Sequence, residues 1–176
     1  MLFTTHIATG AVAGLLTGNP YAAIAAGLVS HHLLDRVPHY DVGSHYVGKE
    51  EPKRLSDLTA KEKLLVLADL VVGVLVLLWM LKVTINPAPD IYIGDLWTKQ
   101  NSLVLLGAIA AAFPDILYNI AKILENRFNW MIHGKPLVYY RRFHERFHQV
   151  LSLKYWYIGI LSQLILIGLS VWYILR

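Results

Sequence analysis

The sequence predicts an all-α integral membrane protein, with a re-entrant hairpin of two short helices followed by three transmembrane helices and their connecting segments. Three observations carry this expectation. Of the 176 residues, 56% are hydrophobic, and the mean hydropathy is +0.46, against an apolar share of ~45–50% in ordinary soluble domains. Residues 64–81, 103–121 and 155–174 are apolar runs close to the ~20 residues that cross a bilayer core. Lysine and arginine gather in two of the connections between these runs.

The first element is a broken one. Residues 2–29 would make one long span, but Thr17-Gly18-Asn19-Pro20 lies in the middle. Gly followed by Asn-Pro is a turn signal, because the residue before proline is pushed out of the helical region. We therefore expect two helices, near 2–16 and 20–36, each about 22–25 Å long and short for a span. Small residues at 8–14 and 22–27 would let them pack closely. The turn decides the chemistry. In one straight helix His6 and His31 would stand about 37 Å apart, whereas in a hairpin they share an end.

Beyond the hairpin, residues 43–57 are polar and turn-rich, and Thr59-Ala60-Lys61-Glu62 reads as a capping box opening the next helix. Residues 126–148 read as an amphipathic or partly loop segment at the membrane surface, where Trp130, Tyr139 and Tyr140 would join an interfacial aromatic belt. The connection from 30 to 63 carries six basic residues (Arg36, Lys49, Lys53, Arg54, Lys61, Lys63). That from 122 to 154 carries seven, and 82–100 only two, Lys82 and Lys99. The positive-inside rule then places both basic connections in the cytoplasm, in the inner membrane of a cell, with the C-terminus outside. The length suits a single domain, residues 1–176, and nothing in the pattern specifies an oligomer.

Several function classes drop out. With no cysteine, disulfides, thiolate metal sites and cysteine nucleophiles are excluded. A removable signal peptide is not expected, since no basic leader and small-residue cleavage site are seen. The net charge of +4 flanks the membrane segments, which points to lipid headgroups and not to nucleic acid. No P-loop, Gly-x-Gly-x-x-Gly or nucleophile elbow is found.

The residues that remain are histidines and aspartates. Ser30–Val42, SHHLLDRVPHYDV, holds His31, His32, His39, Asp35 and Asp41. His31 and Asp35 are i,i+4 and His32 and Asp35 i,i+3, so either pair shares a helical face. Pro38 ends the helix and leaves His39 and Asp41 on a turning loop. Imidazole beside carboxylate suits zinc or manganese, and a polar helix end rich in histidine is the plainer reading. His144 and His148 form a second i,i+4 pair; Glu145, directly after His144, points away from it.

Asp69 and Asp115 lie inside membrane runs, about 8 and 10 Å from the cytoplasmic end. Ionisable groups at such depth usually face the bundle interior with a partner, and Asn119 would share the face of Asp115. In the hairpin arrangement all eight histidines (6, 31, 32, 39, 45, 133, 144, 148) and Asp35, Asp41, Asp69 and Asp115 come to one membrane face. That is what a first shell for one or two metals requires.

Thr5-His6 opening a small-residue helix, His32-Leu33-Leu34-Asp35 with a following Pro-His, and Phe113-Pro114-Asp115 together resemble the membrane-bound metal-dependent hydrolases of the LexA-regulated type. More distantly, the His31/Asp35 and His144/His148 spacings are similar to ligand spacings in zinc-dependent phospholipases C. The likeness covers the hairpin best and thins after residue 60. The His-Arg-Gly-x-Thr-His-Ser stretch of that family is absent, and Arg142–His148 would have to stand in its place.

The expected function is a metal-dependent hydrolase of phosphoesters or phospholipids at the cytoplasmic leaflet. The candidate ligands are His6, His31, His32, Asp35, His39, Asp69, Asp115, His144 and His148. Asp41 or Glu145 would be the general base, and Arg36, Arg141 or Arg142 would hold a phosphate. The alternative is a non-enzymatic scaffold with a structural metal site. Transport is disfavoured, because the outer halves of the spans are almost wholly apolar.

Overall fold

A computed structural model of the chain describes residues 1–47, 58–85, 98–127 and 135–176. Lys49, Lys53, Arg54, Trp130 and His133 lie outside the described residues. The elements are α1 (Phe3–Thr17), α2 (Pro20–Leu34), α3 (Ala60–Ile85), α4 (Lys99–Arg127), α5 (Lys135–Phe147) and α6 (Trp156–Ile174). No strand occurs among the described residues. Three stretches, Ala60–Thr84, Lys99–Ile120 and Leu153–Ile174, are long and apolar enough to cross a membrane.

The break in the first apolar stretch is real, and each turn residue has a separate role. Gly18 ends α1 with φ 64°, the left-handed conformation that glycine adopts without steric penalty. Asn19 accepts hydrogen bonds from the N–H groups of Tyr21 at 2.9 Å and Ala22 at 3.2 Å. Pro20, which has no N–H to leave unsatisfied, opens α2. The chain therefore reverses, and His6 and His31 stack with ring centroids 4.1 Å apart.

Small residues seat this hairpin on α4. Gly10 and Gly14 of α1 and Gly27 of α2 all lie against Gly107, and Gly10 and Gly27 also meet Ala111. A Cβ on Gly107 would stand 2.7 Å from the Gly14 Cα, closer than backbone can tolerate, so only glycine permits this approach. Ile7, Ala8, Ala11, Met80, Leu81, Val104, Ala108, Ala112 and Ile174 form the core between α1 and the spans. Elsewhere the long helices are bare: Leu67, Leu75, Leu161 and Leu164 are all more than half exposed.

The first turn of α1 has no cap of its own, so its free N–H groups must find partners elsewhere. Two spans supply them. Gln163 of α6 accepts from Leu2 N at 2.8 Å. Asp69 of α3 accepts from Phe3 N at 2.6 Å, Thr4 N at 3.1 Å and the Thr4 hydroxyl at 2.7 Å. At the start of α3 the expected capping box is present, with the Thr59 N–H donating to Glu62 at 2.8 Å and the Glu62 N–H to the Thr59 hydroxyl at 3.3 Å.

Candidate metal centre

The end of α2, the loop after it, the start of α1, the C-terminal half of α4 and the end of α5 meet at one point. Two features bring them there. Pro114 inside α4 removes one helical N–H and loosens the local ladder. One turn back, the Ala111 carbonyl accepts a hydrogen bond from His31 Nδ1 at 2.7 Å. The loop carrying His39 is clamped by the chain after α5: Gln149 N donates to Asp35 O at 2.8 Å and Leu151 N to His39 O at 2.9 Å. From the other side Gly159 of α6 lies against it, where a Cβ would come within 2.5 Å of Tyr40 N.

The first donor set is His31, Asp35, Asp115 and His144, with one ligand atom from each lying within 4.8 Å of all the others. His31 Nε2 is 3.1 Å from Asp35 Oδ2 and 3.8 Å from Asp115 Oδ1. His144 Nε2 is 3.4 Å from Asp115 Oδ1 and 4.0 Å from Asp35 Oδ2. Donor atoms placed ~2.0–2.1 Å from a tetrahedral ion are about 3.3 Å apart, which these edges bracket. His6 adjoins the set, its Nε2 3.2 Å from Asp35 Oδ1 and 3.7 Å from Asp115 Oδ2.

The second set is Asp35, His39 and His148. Asp41 closes it, with Oδ2 3.5 Å from His39 Nε2 and 3.3 Å from His148 Nε2. The Met1 amino nitrogen stands beside it, 3.2 Å from Asp35 Oδ1 and 3.2 Å from His148 Nε2. Asp35 belongs to both sets and is fully buried.

Lone pairs decide whether a cation fits. A carbonyl can only accept, so His31 Nδ1, bonded to Ala111 O, carries a proton and the ring is held with its Nε2 toward the carboxylates. His39 is arranged alike, with Nδ1 donating to Val37 O at 2.8 Å. His31 Nε2, His39 Nε2, His6 Nε2 and Asp35 Oδ2 are all buried without a hydrogen-bond partner among the described residues. Each buried polar group left unmatched costs about 1–3 kcal/mol. A divalent ion in the first set would meet His31 Nε2 and Asp35 Oδ2, and one in the second His39 Nε2, so these buried His and Asp groups can hold a metal. Carbonyl bonds to the far ring nitrogen are also the usual support of a metal-bound histidine.

The outer ligands are prepared for the same role. Burial, then the charge of His31, lowers the His144 pKa to about 4. Burial and the Met1 ammonium lower that of His148 to about 3. Both rings are then neutral at pH 7 and hold a free lone pair. Burial alone would push the Asp41 carboxyl up, but the Met1 ammonium and His39 outweigh it and hold the group below the usual carboxylate range.

Not every candidate arrives. Asp69 is spent on capping α1 and stands apart from both sets. His32, half-buried, can join His31 and His144 in a third grouping, but its ring packs edge-on against Phe143. Glu145 faces Arg141 at 3.4 Å and Tyr118 at 3.3 Å. Arg36 is exposed with its guanidinium 4.6 Å over the Phe147 ring, and Arg142 is on the outer face of α5. Asn119 bonds its own helix at Asp115 O, and His45 pairs with Glu62 at 3.2 Å.

Tyr118 and Gln163 escaped the sequence reading, and Tyr140, expected only in an interfacial belt, supports the site as well. Tyr118 stacks on His144 at 4.9 Å, Tyr140 donates to Pro114 O at 2.7 Å, and Gln163 joins α1 to Tyr40 O at 2.8 Å. Of the two that escaped, Gln163, a lone amide within an apolar run, left a signal. No family model, curated protein or solved structure matches the chain.

Proposed function

We propose that this protein is a membrane-embedded, metal-dependent hydrolase acting on a phosphoester or phospholipid at headgroup depth. The observation that supports it most is the set of buried imidazole nitrogens without hydrogen-bond partners that face Asp35 and Asp115. The nitrogen and oxygen donors suit zinc, with manganese as the other candidate. The resemblance of the hairpin motifs to membrane-bound metal-dependent hydrolases supports the same reading.

A bound divalent ion lowers the pKa of a water toward 7 and polarises a phosphoryl oxygen. The protein's own groups do the rest. His31, Asp35 and His6 are fully buried, whereas the Asp115 and His148 side chains are 20% and 26% exposed. That open side favours a centre that admits water and substrate over a closed structural one. Asp41, among the donors, is better placed than Glu145 to take a proton from an attacking water. Water would add at phosphorus, and the alcohol of the ester would leave with a proton.

The basic connections support a cytoplasmic position for this face, and hairpin helices about 22 Å long support a hairpin that enters the bilayer without crossing it. The test is incubation of metal-loaded protein with a mixed phospholipid extract. A metal-dependent water-soluble product supports the reading. No product from any lipid class, in a protein that holds stoichiometric metal, would favour the scaffold.

A further inference from the structure

We propose that the outer face of α5 is a docking surface for anionic lipid headgroups. The depth of the helix comes first. α5 packs on the last turns of the α4 span, through Tyr140 to Pro114 O and Glu145 to Tyr118. Asp115, which faces His144, is five residues inside Ile120, the end of that span, or about 7 Å by helix rise. At the same membrane face Tyr155, Trp156 and Tyr157 open α6 and are 41%, 54% and 55% exposed. Such a girdle marks the headgroup plane, and α5 lies at its level.

The composition of the outer face comes second. With His144 turned inward, residues 139, 142, 143 and 146 fall on the opposite half of the helix. Tyr139 and Phe143 are 63% and 46% exposed, large aromatics that would sit in the headgroup–acyl boundary. Arg142 and Arg146 are i,i+4, both exposed, and neither has an ion-pair partner among the described residues. Arg36 extends the basic edge beside Phe147. Glu145, the one acid on α5, is engaged by Arg141. Aromatics at the boundary with two free guanidiniums above them match a lipid phosphate, which accepts paired hydrogen bonds from arginine.

The docking does not depend on any catalytic reading. One consequence does rest on the metal-centre reading: His144 is on the same helix, so headgroup contact would press that ligand toward Asp115.

The experiment uses the full chain in phosphatidylcholine bilayers containing either spin-labelled phosphatidylglycerol or spin-labelled phosphatidylcholine. The preference for the anionic label at the protein boundary is measured for wild type and for Arg142→Gln/Arg146→Gln. Wild type should prefer the anionic lipid, and the variant should lose at least half of that preference; about fivefold per arginine is the ceiling. Salt at 0.5 M should reduce the wild-type preference toward that of the variant. The proposal is overturned if wild type shows no anionic preference, or if the variant keeps all of it. Arg176→Gln, at the opposite end of α6, serves as a control for net charge and should leave the preference unchanged.

Discussion

Asp35 and Asp69 look alike in the sequence, each a carboxylate beside or within an apolar helix, yet they do opposite things. Asp69 has both oxygens committed to α1, so Asp69→Ala should cost stability, about 1–3 kcal/mol, while the folded fraction still takes up metal. Asp35 is surrounded by imidazoles and belongs to both donor sets. Asp35→Ala should abolish uptake in protein that still folds. Thermal unfolding in detergent, run beside metal analysis of the folded fraction, separates the two. The sequence suggested that both lie at one end of the bundle, as the structure has them, but offered no means of telling ligand from cap. That difference depends on which span lies over the start of α1, a long-range fact with no local signal. His31 against His32 is a similar case: adjacent helical positions differ by about 100°, and the contact with Ala111 O, which turns His31 inward, is made by a different helix.

The hairpin is the element on which the centre depends, and its signal was local. Thr17-Gly18-Asn19-Pro20 supplies a left-handed stop, a side-chain cap and a proline start in consecutive residues, so the reversal was readable. Asn19→Ala should weaken it by about 1 kcal/mol without loss of metal. Gly107→Val is a harsher change, because a side chain there meets the backbone of both Gly10 and Gly14. It should separate α1 from α4, moving His6 and Asp115 apart, and metal uptake should fall even where far-ultraviolet circular dichroism still reports full helix content. Unchanged uptake in that variant would show that the hairpin seat does not position the ligands. The role of α5 was only half readable. Its amphipathic pattern marked a surface helix, but the docking of His144 required Tyr118 and Tyr140, whose contacts span more than 20 residues of chain.

At the scale of the molecule, α3 and α6 begin and α4 ends at one face, and every ligand candidate among the described residues lies there. The chain has no cysteine, so single-cysteine variants report sidedness cleanly. Arg36→Cys and Arg142→Cys should be labelled from the cytoplasm and Arg176→Cys from outside. Labelling of Arg36→Cys and Arg142→Cys from opposite sides would contradict the arrangement. Hydropathy and charge made the spans legible, since the bilayer imposes the same demand on every segment that crosses it. The candidate donors were legible as a group because polar residues inside an apolar chain are costly and few.

The most direct measurement is the transition-metal content of the purified protein beside that of Asp35→Ala/His144→Ala. The account predicts one or two ions per wild-type chain and a loss of stoichiometric metal in the variant. Wild-type protein that folds, keeps its helices and takes up no transition metal would contradict it.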